Sequence, residues 1–392
     1  MSWARRAGIA GVALGAVATT VAVERLSVQR SLRRQARLAL DTAGPFGTLR
    51  GTPGTTFAED GTELYYEIDE PADHPTPAAE PAVGPPPTPG RLTRLLRRHG
   101  PASRRPTVVF SHGYCLAQDV WHFQRAALRG QFRAVYWDQR SHGRSARGTS
   151  QVERVEDVSI DQLGRDLKAV LDATVPEGPV ILVGHSMGGM TVMALAEQYP
   201  EYVAERVTGI AFLGTSAGGL IDVTYGFPAP VINAVRRAVP GMLRMLGTRP
   251  ELVERGRRAV GDLYSGLVRK YSFGEPASID PAVARFAERL IEAVPMDVVA
   301  EFYPAFHKHD KWAALGVLRG LEEDLPVLVL AGDRDEMTPP SHSQRIAEEL
   351  PAAELLLVPD TGHLVLLEAP VVVNEALVRL LTRSIHPHEP AV

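Results

Sequence analysis

The sequence predicts an α/β fold, a mostly parallel and doubly wound sheet with a helical cap inserted after the sixth strand. Short apolar runs typical of strands alternate with helical patterns from Thr107 onward, which indicates parallel strands covered by helices on both faces. About a hundred residues between Thr215 and Asp324 then separate two such strands. Because this gap exceeds an ordinary crossover connection, we interpret it as the inserted cap.

Eight strands are predicted in total. Thr55 to Asp69 predicts the first two, which form a hairpin around the turn signal Asp60-Gly61. Helical spacing separates the later runs, for example at Ser159–Ala173 and Met190–Gln198. The remaining strand-like runs are Thr107–Ser111, Ala134–Asp138, Val180–Gly184, Gly209–Gly214, Pro326–Ala331 and Ala353–Val358.

These patterns also predict the domain boundaries. Residues 55–216 and 325–383 form the α/β core, and residues 217–324 form the helical cap. Within the core, residues 71–106 include the segment PTPAAEPAVGPPPTPG. We expect this insertion to be disordered at the surface, because proline removes backbone donors and the segment lacks core-forming side chains. Residues 1–40 form a separate N-terminal segment.

Composition excludes several function classes. The 392 residues are 45% hydrophobic and 22% charged, which is typical of a soluble globular core. The net charge of −4 gives no basic footprint for a nucleic-acid partner. The only cysteine, Cys115, cannot form an internal disulfide. We predict neither a cofactor nor a metal centre. The histidine pair His307 and His309 is the nearest to a metal motif, but two residues two apart on a helix face different sides. We interpret both as surface residues.

The N-terminus predicts membrane association. Ala7–Val23 is uncharged, and its length lies at the lower limit for a membrane span. The alternatives are a cleaved secretory signal, with Ala16-Val17-Ala18 as an A-x-A-like site, or a helix that packs on the domain. Glu24–Leu40 follows with five arginines, which suits an anionic membrane surface, although a solvated helix has the same pattern. The positive-inside rule favours a cytoplasmic catalytic domain, and the cleaved signal would mean an exported one.

The strongest chemical signal is a G-x-S-x-G sequence between a strand and a helix. The apolar run Val180–Gly184 leads directly into His185-Ser186-Met187-Gly188, the pattern of a nucleophile elbow. Glycines allow the sharp turn, and the strained backbone at the serine lifts its hydroxyl off the end of the sheet. The sequence therefore predicts Ser186 as a nucleophile.

A serine nucleophile needs a base and a carboxylate that orients the base. Downstream, one strand-like run is followed by Asp333 and Asp335, and the last run is followed by Gly362-His363. The chain order Ser, Asp, His matches the order expected on this topology. The sequence predicts His363 as the base, and from spacing alone either aspartate as the acid.

These motifs resemble the α/β-hydrolase superfamily over about Thr55 to Arg383. The family pattern G-x-x-D-x-x-x-P matches Gly332, Asp335 and Pro339, so the resemblance implies Asp335 as the catalytic acid and Asp333 as the runner-up.

A second signature of the family is a strand that ends in His-Gly, here Phe110-Ser111-His112-Gly113-Tyr114. It implies that the backbone N–H groups of Tyr114 and Met187 form the oxyanion hole, with His112 bracing the loop and Cys115 a small loop residue. Asp138 to Ser145 resembles the family turn D-x-R-G-x-G-x-S, with Ser141 in place of the usual glycine.

The resemblance implies a serine hydrolase that cleaves a carboxylic ester, lipid-like or small, through an acyl-enzyme on Ser186. Alternatives on the same fold are amide, lactone or C–C bond cleavage and perhydrolysis. Epoxide hydrolase and haloalkane dehalogenase chemistry is disfavoured, because those relatives have an aspartate where Ser186 stands. A non-enzymatic ligand receptor is the alternative from another class. The expected partner is a small acyl ester, and the N-terminus would bind a membrane surface.

Overall fold

The computed structural model describes residues 46–72, 105–223, 270–321 and 323–385. The predicted N-terminal segment 1–40, with Ala7–Val23 and Glu24–Leu40, lies outside these residues, as does nearly all of the predicted insertion 71–106. Within the described ranges, no helix is long and apolar enough to cross a bilayer.

An eight-stranded sheet forms the centre of the described chain, with the order β1-β2-β4-β3-β5-β6-β7-β8. The first two strands are an antiparallel hairpin, and β2 is antiparallel to β4. All other neighbours are parallel. The predicted mostly parallel α/β sheet is therefore confirmed. The strands are β1 Thr52–Phe57, β2 Glu63–Asp69, β3 Thr107–Ser111, β4 Ala134–Trp137, β5 Val180–His185, β6 Val207–Leu213, β7 Val327–Gly332 and β8 Glu354–Val358.

Helices connect the parallel strands and cover both faces of the sheet. Two short 3-10 helices, Gln118–Trp121 and Leu220–Asp222, accompany them. The α-helices that lie wholly in the described residues are α1 His122–Leu128, α2 Thr149–Val152, α3 Ile160–Thr174, α4 Met187–Gln198, α5 Pro200–Arg206, α6 Pro281–Ala293, α7 Met296–His307, α8 Trp312–Arg319, α9 Pro340–Glu349, α10 Val365–Glu368 and α11 Pro370–Ile385.

Strand β3 shows why the sheet is buried on both sides. Val108 and Phe110 belong to one apolar cluster and Val109 belongs to the other, because successive strand side chains point to opposite faces. Leu377 of α11 packs into the first cluster, and Leu167 of α3 packs into the second. Each fully buried side chain of this kind contributes about 1.5–3 kcal/mol of transfer free energy.

Three predicted elements begin earlier in the structure than in the sequence pattern, the first of them the hairpin predicted from Thr55, which begins at Thr52. The strand predicted from Gly209 begins at Val207, and the helix predicted from Met190 begins at Met187. Ser186 occupies the N-cap position of this helix. Glycines at 188 and 189 lie in its first turn, and they obscured the helical pattern in the sequence. The hairpin turn is confirmed, with Gly61 at a φ of 80°.

Between β6 and β7 the described residues are helical, as predicted after the sixth strand. Helices α6, α7 and α8 occupy this segment, while residues 224–269 lie outside the described ranges. The boundaries 217–324 of a separate cap stay a prediction. Phe302 and Val298 of α7 pack with Met187 and Met190 of α4 in a third apolar cluster. The segment therefore lies over the N-terminus of α4.

Candidate active site

Ser186 lies at a sharp turn between β5 and α4. Its backbone has φ 52° and ψ −119°, a combination that strains a residue with a Cβ atom. Two hydrogen bonds hold the turn. The Ser186 N–H donates to the Leu213 carbonyl at 2.9 Å, and the Thr215 hydroxyl donates to the Ser186 carbonyl at 2.7 Å. The serine is thereby fixed at the carboxyl end of the sheet.

The glycines of the G-x-S-x-G sequence are required by close backbone contacts. A Cβ atom at Gly184 would lie 2.5 Å from the Gly188 carbonyl oxygen. One at Gly188 would overlap the carbonyl oxygen of Ser111 on the neighbouring strand β3. The predicted steric reason for both glycines is confirmed.

Hydrogen bonds join the three residues predicted from the sequence in one chain. The Nε2 atom of His363 lies 3.0 Å from the Ser186 Oγ atom. The Nδ1 atom of His363 lies 2.8 Å from the Asp335 Oδ2 atom. Since a carboxylate accepts hydrogen bonds, Nδ1 carries the ring proton and Nε2 presents its lone pair to the serine hydroxyl.

The surrounding loop holds the carboxylate of Asp335 in place. Its Oδ1 atom accepts from the backbone N–H groups of Met337 and Thr338 at 2.8 and 2.9 Å. The Thr338 hydroxyl donates to Oδ2 at 2.8 Å. Asp335 is 3% exposed, whereas Asp333 is exposed and its N–H pairs with the Val358 carbonyl. Of the two aspartates, Asp335 makes the contact with His363.

Two residues that the sequence analysis missed hold the loop of His363. Glu368 of α10 accepts from the Gly362 N–H at 2.7 Å and from the Gly274 N–H at 3.2 Å. His185 donates from Nε2 to the His363 carbonyl at 2.9 Å. Burial lowers the pKa of His185 to about 3, so its ring stays neutral. The position of His185 beside Ser186 was the only sequence signal for this contact.

The loop after β3 lies directly against the turn of Ser186. A Cβ atom at Gly113 would lie 3.1 Å from the Ser186 Cβ atom, so only glycine allows this approach. His112 braces the loop, as predicted. It accepts from the Gln139 N–H through Nε2 at 3.0 Å and donates from Nδ1 to the Gly113 carbonyl at 2.7 Å. Burial lowers the pKa of His112 to about 3, which keeps this tautomer uncharged.

The two residues predicted to form an oxyanion hole follow these turns. Tyr114 comes after Gly113 in the loop, and Met187 is the first residue of α4 and fully buried. The N–H groups of a first helical turn have no partner within the helix, and the helix dipole favours negative charge there. Burial raises the pKa of the Cys115 thiol to about 12. Cys115 therefore stays a protonated thiol, as its predicted role as a loop residue requires.

The profile of the alpha/beta hydrolase fold matches residues 106–370 of the sequence. The chain belongs to the α/β-hydrolase family. Three similar proteins, each of which covers more than two thirds of the chain, illustrate the range of reactions among such proteins.

A protein assigned as a carbamate hydrolase, RutD of Caulobacter sp. (strain K31), is 29% identical over 289 residues, 72% of this chain and 93% of its own. The 3-oxoadipate enol-lactonase 2 of Acinetobacter baylyi is 25% identical over 287 residues, 71% of this chain and 90% of its own. A thermophilic esterase from Thermogutta terrifontis has a similar structure, with a TM-score of 0.59, 22% identity, and coverage of 85% of this chain and 99% of that one. The last likeness shows the fold alone.

The turn after β4 in this α/β hydrolase tolerates serine in place of the usual glycine. Ser141 adopts a φ of 64°, the left-handed region that favours glycine. The adjacent Arg140 is fully buried and holds the turn through ion pairs with Asp166 at 2.6 Å and with Asp60 at 2.9 Å. These ion pairs hold the turn in which Ser141 adopts this strained φ.

One sequence prediction for this α/β hydrolase is wrong. We predicted that His309 would be a surface residue on a helix, but α7 ends at His307 and His309 is 5% exposed. Its Nε2 atom donates to the Ser216 carbonyl at 2.7 Å, and burial lowers its pKa to about 4. The ring thus joins the end of α7 to the loop after β6. Among the described residues, no group of three or more His, Cys, Asp or Glu side chains could hold a metal ion.

Proposed function

We propose that this α/β hydrolase cleaves a carboxylic ester through an acyl-enzyme on Ser186. The observation that carries the proposal is the chain of two hydrogen bonds from Ser186 Oγ to His363, at 3.0 Å, and from His363 to Asp335, at 2.8 Å. This is the arrangement in which a serine can lose its proton to a base as it attacks a carbonyl carbon.

In the proposed reaction, Ser186 Oγ attacks the ester carbonyl while His363 Nε2 takes the hydroxyl proton. His363 then gives that proton to the leaving alcohol, and the bond between the carbonyl carbon and the alkoxy oxygen breaks. A water molecule then attacks the acyl carbon and gives a proton to His363. The bond from this carbon to Ser186 Oγ breaks, His363 returns the proton to Oγ, and the acid leaves. Asp335 stabilises the imidazolium that forms in each half.

The oxyanion in each half would be stabilised by the backbone N–H groups of Tyr114 and Met187. Loss of one such donor costs about 10²- to 10³-fold in kcat. Both residues flank Ser186, one on the loop from β3 and one at the start of α4. The N-terminus of α4 adds a favourable field for the developing negative charge.

A second candidate function is cleavage of a lactone or a carbamate by the same residues. The names of the relatives favour it, since they include an enol-lactonase and a protein assigned as a carbamate hydrolase. All these substrates contain a carbonyl carbon with an oxygen or nitrogen leaving group, so attack by Ser186 would be common to them.

The first test is Ser186→Ala, with Ser216→Ala as a matched control. Ser216 is another buried serine that contacts a histidine ring, with its Oγ atom 2.7 Å from His342 Nδ1. Hydrolysis of p-nitrophenyl esters of increasing acyl length should fall by about 10⁶-fold in the Ser186 variant. The Ser216 variant should keep turnover within about threefold of the original.

A folded Ser186→Ala protein with full turnover would contradict the proposal. Equal losses in both variants would assign the effect to the loop after β6 instead of to the nucleophile. Turnover of lactones or carbamates, with p-nitrophenyl esters left intact, would favour the second candidate.

The proposal includes the organisation of the chain. The catalytic core comprises residues 55–216 and 325–383, the cap comprises residues 217–324, and Ala7–Val23 anchors the protein in a membrane. The described partners of Ser186 and His363 all lie after residue 105. A chain that begins at residue 41 should therefore remain an active hydrolase.

Cell fractionation of the full-length and shortened proteins tests the anchor. The full-length protein should sediment with membranes, and the shortened one should stay in the supernatant with the same specific activity. Full-length protein in the soluble fraction with its N-terminus intact would contradict the anchor. A mature N-terminus at Thr19 would identify a cleaved signal.

A further inference from the structure

Helix α7 contacts both residues that the proposed function assigns to the oxyanion hole. Met187 lies in one apolar cluster with Val298 and Phe302 of α7. Tyr114 packs against the same cluster, with its ring 4.9 Å from that of Phe306 and 6.0 Å from that of Phe302. Helix α7 thus contacts both of these residues through side chains.

A hydrogen bond also joins α7 to the loop after β3. The hydroxyl of Tyr114 donates to the backbone carbonyl of Val299 at 2.5 Å. These two residues are 185 positions apart in the sequence. Because a backbone carbonyl in a helix moves only with the helix, this bond fixes the Tyr114 side chain to the position of α7.

The peptide groups on either side of Tyr114 are fixed as well. The Gly113 carbonyl accepts from His112 Nδ1 at 2.7 Å, and the Cys115 N–H donates to His142 Nε2 at 3.2 Å. Cys115 adopts a φ of 58°, a strained value that persists only when its surroundings hold it. With both neighbours held, the hydroxyl bond to α7 adds a restraint on the side chain of Tyr114, beside its ring contacts with Phe302, Phe306 and His142.

His142 extends the contact with α7. It donates from Nδ1 to the Arg140 carbonyl at 2.9 Å, which leaves Nε2 to accept from Cys115. The ring of Phe302 meets the ring of His142 edge-on at 4.9 Å. Helix α7 therefore packs on the side chain that holds the Cys115 N–H, in addition to accepting from Tyr114.

We propose that Tyr114 is a positioning residue whose hydroxyl bond to α7 helps to hold its own backbone N–H in the oxyanion hole. Its hydroxyl ties that N–H to the carbonyl of Val299 on α7. This inference rests on the proposed function, since it assigns a role within the same site. It goes beyond that function in making the rate of the chemical step depend on a bond to the segment between β6 and β7.

The chain offers a matched control on the same helix. Arg147, in the loop after β4, forms ion pairs with Asp297 at 3.1 Å and with Glu301 at 2.6 Å. These pairs also attach α7 to the core, but none of the three residues belongs to the loop after β3. Half-exposed ion pairs contribute little to stability, so Arg147→Gln should leave the fold intact.

The experiment compares Tyr114→Phe with Arg147→Gln. Each protein is titrated with a fluorophosphonate, and kcat is then calculated per reactive Ser186, so that unfolded protein does not count. A neutral hydrogen bond of this kind is worth about a 2- to 13-fold change in an equilibrium constant. With p-nitrophenyl acetate, we expect Tyr114→Phe to lower kcat about fivefold and to leave KM within twofold. Arg147→Gln should leave kcat within twofold.

Each outcome supports or contradicts the role proposed for Tyr114. Unchanged kcat in Tyr114→Phe would overturn the inference, because the hydroxyl would then have no influence on the oxyanion hole. The same kcat loss in Arg147→Gln would also overturn it, since attachment of α7 in general would be responsible. A rise in KM alone would assign Tyr114 to substrate binding, against the proposal. Failure of the original protein to react with the fluorophosphonate would instead contradict the proposed function.

Discussion

The edge of the sheet that carries Ser186, Asp335 and His363 differs from the segment that covers it. Each of the three residues lies on the turn or loop that follows a strand, after β5, β7 and β8 respectively. The described part of the covering segment includes α7, which contacts the core through an apolar cluster and through long-range hydrogen bonds, such as that from Tyr114 to Val299. The comparison teaches that the chemistry is specified locally, whereas the surroundings of the substrate depend on long-range packing.

Strand pairing explains the first half of this comparison. His185 at the end of β5 is paired with Leu213 of β6, and Gly332 at the end of β7 is paired with Val358 of β8. The carboxyl ends of parallel strands lie at one edge of a sheet, where ligands bind in such folds. Residues that directly follow these strands are therefore brought together by the topology itself.

The largest effect should separate the two aspartates on the loop after β7. Asp335→Asn should lower kcat about 10⁴-fold. The N–H groups of Met337 and Thr338 would hold the amide oxygen, so the NH2 group would face His363 Nδ1 and favour the wrong tautomer. Asp333→Asn, at an exposed position on the same loop, is the matched control and should change kcat less than threefold. Ester turnover by both purified variants measures the difference.

The reverse ranking of the two variants would assign the acid to Asp333. It would also mean that the contact of Asp335 with His363 is not the one used in turnover.

A smaller effect should appear at Glu368 of α10, which holds the loop of His363. Glu368→Gln removes the charge that accepts from the N–H groups of Gly362 and Gly274. Hydrogen bonds to charged groups are worth about 1.5–3 kcal/mol, so the free energy of unfolding in urea should fall by that amount. Glu354→Gln is the control, because Glu354 pairs with Arg379 at the surface and should cost less than about 1 kcal/mol.

Equal losses of stability in the two variants would show that Glu368 acts as an ordinary surface charge. The loop of His363 would then be held by other contacts.

The most gradual effect should come from the neutral histidines behind the site, since it develops over more than one pH unit. Burial lowers the pKa of His112 and His185 to about 3 and that of His142 to about 4. Below about pH 6.5 the unfolded chain binds protons at these residues and the folded chain does not. The contribution of these histidines to the free energy of unfolding should be fully present above that pH. It should decrease as the pH falls toward 4, by up to about 1.4 kcal/mol per pH unit for each histidine.

Asp138 opposes this trend over part of the range. Burial raises its pKa to about 6, so between about pH 6 and 3.8 the folded chain holds a proton that the unfolded chain releases. Urea unfolding at pH 7, 5.5 and 4.5 should therefore still show a net loss of stability. Stability that is constant or rises between pH 6.5 and 4.5 would mean that the histidines are charged in the folded state.

The sequence predicted the residues that local structure places, and it missed those that tertiary contacts place. Ser186 and His363 could be predicted because a strand, a turn and a glycine surround each of them. Glu368 could not, because its bond to the Gly274 N–H joins residues 94 positions apart and no local pattern requires a carboxylate there. His309 was misread for the same reason, since its partner Ser216 is 93 positions away.

The proposal that Ser186 is the nucleophile is tested most directly by covalent labelling. The full-length protein is treated with a fluorophosphonate, and the adduct is located by peptide mass spectrometry, with and without prior incubation with an ester substrate. The account predicts one adduct per chain, on Ser186, formed more slowly when substrate is present. Absence of an adduct on the folded protein, or an adduct on another serine such as Ser216, would contradict it.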